Sequence, residues 1–232
     1  MMKTIGLIGG MSWESTVTYY QLINQAVKEA LGGLHSAKLL LYSMDFAQIE
    51  ACQSAGAWAQ SGELLIDAGL RLERAGVDFL VICTNTMHKL VPQMEERLSV
   101  PILHIAQATA HALHDAGIGT VGLLGTKYTM QQDFYKERLI QAGIQVLLPG
   151  PDDMELVNRV IYEELCLGII SDRSKAEFLR IIGALAARGA KGVILGCTEI
   201  GLLIDQSDTP LPVFDTARVH ALAAAKLALS EA

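Results

Sequence analysis

Little in this sequence ties it to nucleic acid, a membrane or an oxidising compartment. Only 19% of its 232 residues are charged, acids outnumber bases to a net charge of −7, and no lysine/arginine cluster interrupts that balance. Such a chain lacks the electrostatic footprint of a nucleic-acid binder or of a protein drawn to an anionic bilayer surface. No apolar run approaches the ~18–20 residues of a membrane span. The first one, Ile5 to Ile8, is cut by Gly9, Gly10, Ser12 and Glu14, which makes it too short for a signal-peptide core. The four cysteines, Cys52, Cys83, Cys166 and Cys197, form no Cys-x-x-Cys pair. Reduced thiols and a cytoplasmic setting are the expectation. The nucleotide fingerprints are missing as well. Gly6-x-x-Gly9-Gly10 falls between a strand and a helix, but it lacks the Gly-x-Gly-x-x-Gly spacing and no Walker lysine follows. The turn reads better as one that offers amides to a small carboxylate or phosphate.

What the sequence does have is a repeated phrase. Gly192 opens a β-branched apolar run that stops at Gly196, followed by Cys197, Thr198 and Glu199; Asp78 opens another that ends in Cys83, Thr84, Asn85, Thr86 and His88. Such runs read as buried parallel strands, and polar residues at their carboxyl ends are where open α/β sheets place their chemistry.

Taken in order, strands are predicted at 3–8, 38–44, 78–83 and 101–104. Helices are predicted at 14–31, 57–75, 87–98 and onward to 116, with a loop over 45–56. The alternation restarts with strands at 120–124, 145–148, 192–196 and 212–214. Helices fall at 129–142, 152–167 and 172–188, and Asp215 caps a last, alanine-rich one. This is a parallel-sheet α/β layout, and the restart makes it two. Ile5-Gly-Leu-Ile-Gly9 matches Val121-Gly-Leu-Leu-Gly125, Cys83 matches Cys197, and Pro101 matches Pro212, at separations of 116, 114 and 111 residues. Landmarks in one order at nearly one spacing indicate duplication. Two similar three-layer domains, each a parallel sheet with helices on both faces, are expected, residues 1–104 plus 212–232 and residues 105–211, related by a pseudo-two-fold axis with the active site between them.

Two thiols in matching settings suit a reaction symmetric about a carbon atom, in which one removes a proton from one face and the other returns a proton to the opposite face. A thiol's ordinary pKa of about 8.5 lies near working pH, and a following helix N-terminus is expected to lower it. The threonines, Asn85 and backbone amides beside each thiol can hold a carboxylate and the charge that develops on it. The competing readings are two buried cysteines with no chemical role, a disulfide, or a zinc site using both thiols with His88 or His104, for which no fourth ligand stands at suitable spacing.

On these phrases the chain resembles the cofactor-independent aspartate/glutamate racemases along nearly its whole length. Leu195-Gly196-Cys197-Thr198-Glu199-Ile200-Gly201 is close to the family's second signature. Cys83-Thr84-Asn85-Thr86-Met87-His88 carries the extra threonine of the aspartate racemase branch. The resemblance implies that Cys83 and Cys197 are the acid/base pair, with no pyridoxal phosphate and no metal. It implies a pair of flavodoxin-like domains with the site between them, that Met11, Ser12, Thr84, Asn85, Thr86, Thr126, Thr198 and Glu199 line an amino-acid site, and that the protein is a homodimer. Aspartate-specific relatives offer basic side chains to the distal carboxylate at positions that here hold Gln48 and Cys166, both uncharged. A buried carboxylate without a cation is costly, so a broad range that includes neutral amino acids is the leading expectation. The alternatives are a racemase specific for aspartate or glutamate, an enzyme like maleate isomerase, hydantoin racemase or arylmalonate decarboxylase, and a non-catalytic amino-acid sensor.

Overall fold

The central apolar runs at 5–9, 79–82 and 192–196 become strands buried along their whole length, as residues covered on both faces must be. The computed structural model describes residues 1–230, and the chain divides into two compact units.

The first unit comprises Met1–Ile105 and the chain from His220 onward. Its elements are β1 (Ile5–Gly9), α1 (Trp13–Leu31), β2 (Leu39–Ser43), α2 (Phe46–Ser54), α3 (Trp58–Arg74) and β3 (Phe79–Ile82). A 3-10 turn (Thr86–Leu90), α4 (Val91–Glu95) and β4 (Ile102–Leu103) follow. The strands are parallel in the order β2-β1-β3-β4. β1 and β3 are wholly buried, whereas the edge strand β2 is partly exposed. On one sheet face Ile8, Leu80 and Ile82 cluster with Leu65, Ile66 and Leu72 of α3 and Met94 of α4. On the other, α1 approaches so closely that a Cβ on Gly9 would lie 2.4 Å from Thr16.

The second unit, Ala106–Val219, repeats the plan. After α5 (Ile105–Asp115) come β5 (Thr120–Gly125), α6 (Lys127–Gln131), α7 (Asp133–Gln141), β6 (Gln145–Leu147) and α8 (Pro151–Glu163). A 3-10 turn (Leu165–Leu167), α9 (Asp172–Ala187), β7 (Gly192–Gly196), another 3-10 turn (Thr198–Leu202), β8 (Val213–Asp215) and α10 (Thr216–Leu229) complete it. Its parallel sheet runs β6-β5-β7-β8. Leu124, Val193 and Leu195 pack with Val157 of α8 and Phe178 and Leu185 of α9. No helix among the described residues is long and apolar enough to cross a membrane.

Four details differ from the sequence expectation. The loop over 45–56 contains α2, started by Asp45, whose carboxylate accepts from the Ala47 N–H at 3.1 Å. It buries only Ile49 and Cys52, too narrow a stripe to register as helical periodicity. The helix expected at 129–142 breaks at Gln132, which is extended (ψ 153°). The helix expected at 87–98 is a 3-10 turn followed by the short α4. Finally, residues 212–219 do not join the first unit: β8 pairs with β7, Ile194 opposite Phe214, and only the chain from His220 crosses back. Residues 231–232 of the expected 212–232 segment lie outside the described residues. Asp215 caps α10 as expected, its Oδ1 accepting from the N–H groups of Ala217 (2.9 Å) and Arg218 (3.3 Å).

Candidate active site

In each unit the two adjacent central strands deliver their following loops to one point, the place where the strand order reverses and where open α/β sheets bind ligands. In the first unit Met11 and Ser12 follow β1, while Cys83 to Thr86 follow β3. In the second, Thr126 follows β5 and Cys197 to Glu199 follow β7.

Cys83 continues the ladder of β3, its N–H donating to the Ile8 carbonyl at 2.9 Å. Its side chain is fully buried, and burial pushes the thiol well above its ordinary range. Asn85 and Thr86 are buried beside it, and Thr84 is partly exposed. The Thr84 carbonyl accepts from Nδ1 of buried His88 at 2.8 Å. Met11 is buried. Ser12 caps α1, its Oγ accepting from the Ser15 N–H at 3.3 Å. The glycine turn does not present the Gly10 amide freely. Gly10 lies at φ +85°, where a Cβ would fall 2.2 Å from the Met44 carbonyl, and its N–H donates to Thr16 Oγ1 at 2.8 Å. The glycines here serve close packing and a left-handed turn.

Cys197 has a more polar setting. Its Sγ donates to Glu199 Oε2 at 3.0 Å, and Thr198 Oγ1 donates to the same oxygen at 2.8 Å. The thiol is partly buried. Desolvation first, then the Glu199 carboxylate, push it well above its ordinary value, while the Glu199 N–H opposes weakly. Cys197 is the N-cap of the 3-10 turn at Thr198–Leu202, but its side chain accepts no capping hydrogen bond. The expectation of thiols acidified by helix N-termini is therefore corrected at both positions, because burial and an anionic neighbour outweigh the amides. Thr126 is buried and caps α6 through the Thr129 N–H at 3.4 Å. Gly125 and Gly196 lie opposite one another across β5 and β7, and a Cβ on Gly196 would lie 2.9 Å from the Leu124 carbonyl and 3.1 Å from Thr129. Missing side chains let α6 approach the strand ends at this point.

The family model described as Asp/Glu/Hydantoin racemase matches residues 8–224. The chain belongs to the Asp/Glu/hydantoin racemase family. A candidate Asp/Glu racemase from Yersinia pestis is 54% identical, with 99% of this chain and 100% of that one covered at a TM-score of 0.94. An aspartate racemase homologue from Pyrococcus horikoshii is 36% identical over 99% of this chain and 100% of that one, with a TM-score of 0.87. The broad specificity amino-acid racemase RacX of Bacillus subtilis is 26% identical over 66% of this chain, a match that spans 65% of its own length.

The family resemblance also placed Gln48 and Cys166 at the site. Gln48 is exposed on α2. Cys166 is exposed on the 3-10 turn at Leu165–Leu167 and lies close enough to Cys197 to act on it electrostatically. Sequence reasoning missed Tyr162 of α8, whose phenol is influenced by Cys197, Tyr128, Cys166 and Glu199. The signal available was its position one helical turn before Cys166. It also missed His220, which no motif marks. Among the described residues no group of three or more His, Cys, Asp or Glu side chains is arranged to hold a metal.

Proposed function

We propose that this racemase-family chain inverts the α-carbon of free amino acids without a cofactor, with Cys83 and Cys197 as the two acid/base groups. The observation that carries the reading is the duplicated placement of the thiols. Each directly follows the third strand of its unit, β3 or β7, in sheets of identical strand order. One thiol, as thiolate, takes the α-proton, and the other donates its own proton to the opposite face. In the reverse direction the roles exchange. Burial holds both thiols protonated. The α-ammonium of an amino acid supplies the positive charge that favours a neighbouring thiolate. Glu199 is hydrogen-bonded to the Cys197 proton and is placed to receive it. Thr84, Asn85 and Thr86 in one unit and Thr126 and Thr198 in the other are the candidates to hold the α-carboxylate as charge builds on it; Met11 and Ser12 close the first unit's side.

A broad substrate range is supported by the uncharged side chains at Gln48 and Cys166 and by the similarity to a relative named for broad specificity. Function as a homodimer rests on family resemblance. The test is incubation of single enantiomers of neutral and acidic amino acids in heavy water without added cofactor, following α-deuterium by NMR and enantiomer ratio by chiral chromatography. Inversion with exchange, abolished in both Cys83→Ser and Cys197→Ser, is expected. Exchange without inversion would defeat the two-thiol mechanism, and turnover of acidic amino acids alone would defeat the broad range.

A further inference from the structure

Behind the Cys83 loop the first unit buries three histidines and a tyrosine. His88, His104 and His220 are 1%, 3% and 0% exposed, and Tyr19 is 0%. The His88 ring lies edge-on to His104 and His220, with centroids 4.7 and 5.4 Å away. Their hydrogen bonds fix the tautomers, because a carbonyl oxygen only accepts. His220 Nε2 donates to the Leu103 carbonyl at 2.8 Å, so Nδ1 is the acceptor of the Tyr19 hydroxyl at 2.9 Å. His88 Nδ1 donates to the Thr84 carbonyl at 2.8 Å, which leaves Nε2 as a bare lone pair with no partner. Two imidazoles thus donate to the part-buried carbonyls of Thr84 and Leu103, at the carboxyl ends of β3 and β4. An orphaned nitrogen in a fully buried ring is costly. An apolar side chain would fill this space without that cost, but it could not hold the Thr84 carbonyl.

We infer that His88 is a positioning residue for the first thiol: its Nδ1–H fixes the peptide after Cys83, and the edge-on rings of His104 and His220 hold the imidazole in the orientation that does so. Restraint of the Thr84 carbonyl sets the direction in which Cys83 Sγ and the Asn85 and Thr86 side chains leave the strand end. The inference deepens the proposed reaction and rests on that reading for its functional meaning, though the restraint itself can be tested without turnover.

Three measurements test it. In 15N-histidine NMR of the parent protein, His88 is expected to show Nδ1 protonated and Nε2 bare between pH 6 and 8; an Nε2-protonated His88 overturns the inference. In His88→Leu the donor is lost, and in His88→Asn the amide can donate from the position of Nδ1. Iodoacetamide labelling followed by mass spectrometry should find Cys83 about five-fold more reactive in the leucine variant, with Cys197 unchanged as internal reference. The asparagine variant should return Cys83 to the parent rate. Equal changes at both thiols, or none at Cys83, overturn it. If the leucine variant does not fold, the tautomer and the asparagine variant still decide. In the racemisation assay kcat should fall about 10–100-fold in His88→Leu with little change in KM, and largely recover in His88→Asn. If the parent turns over no amino acid, the proposed function falls, while the tautomer and labelling results still judge the restraint.

Discussion

Cys83 and Cys197 present the same atom in unlike surroundings, one fully buried and one bonded to a carboxylate. The difference yields a test of sign. In Glu199→Gln the negative charge beside Cys197 is gone, while burial, the larger influence, remains. The Cys197 thiol should titrate at lower pH than in the parent, and its alkylation profile should shift towards acid while that of Cys83 stays in place. Loss of the proton acceptor should meanwhile slow racemisation by about 10–100-fold. An unmoved Cys197 profile would remove Glu199 from the account. At this scale much was legible in the sequence: a cysteine, a threonine and an acid or amide after an apolar run are chemistry-bearing types in a conspicuous place. Their protonation was not legible. Desolvation depends on the packing of residues distant in sequence, and the word Cys-Thr-Glu says nothing about which way the glutamate turns.

Elements were readable where their periodicity was long, and lost where it was short. The central strands and α1, α3 and α9 stand within a few residues of expectation, because each carries a buried run or stripe that only one secondary structure accommodates. The failures, α2, the break at Gln132 and the 3-10 turn after Cys83, are all short segments whose shape is set by tertiary contacts. The turn between β1 and α1 gives an element-scale prediction. Gly10→Ala must hold a side chain at φ +85° with its Cβ on the Met44 carbonyl. It should cost roughly 2–4 kcal/mol, read as a lowered denaturation midpoint. Asp215→Ala removes the side-chain cap of α10 and should cost about 1 kcal/mol, with Asp215→Asn retaining most of it. A null result for either would mean that the local backbone is freer than its hydrogen bonds indicate.

For the whole molecule, the sequence separations of 111–116 residues announced two similar parallel-sheet units, and the structure shows two parallel four-stranded sheets that share one strand order. The point of crossing back was less visible, since an alanine-rich helix reads the same in either unit. The buried histidines give the chain a pH dependence confined to one unit. Burial lowers the His220 pKa to about 4 and holds that of His88 well below its usual value, with His104 and His220 adding to the effect. Unfolded histidine titrates near 6.5. Below that pH the unfolded chain therefore takes up protons that the folded one refuses, and stability falls as pH drops from about 6.5 towards 4. His220 alone accounts for on the order of 3 kcal/mol across that window. Hydrogen exchange should show β1 and β3 losing protection on acidification well before β5 and β7. Uniform loss across both sheets would contradict this.

The tie from His220 to Tyr19 and Leu103, together with the Lys3 N–H to Ala228 carbonyl bond at 2.9 Å, has a consequence for biosynthesis. The first unit is assembled from two stretches of chain, residues 1–105 and the chain from His220 onward, with the whole second unit between them, whereas residues 106–219 are contiguous. During synthesis the contiguous unit needs no later stretch to complete it, while Tyr19 and the Leu103 carbonyl gain their His220 partner only after more than a hundred further residues have been made.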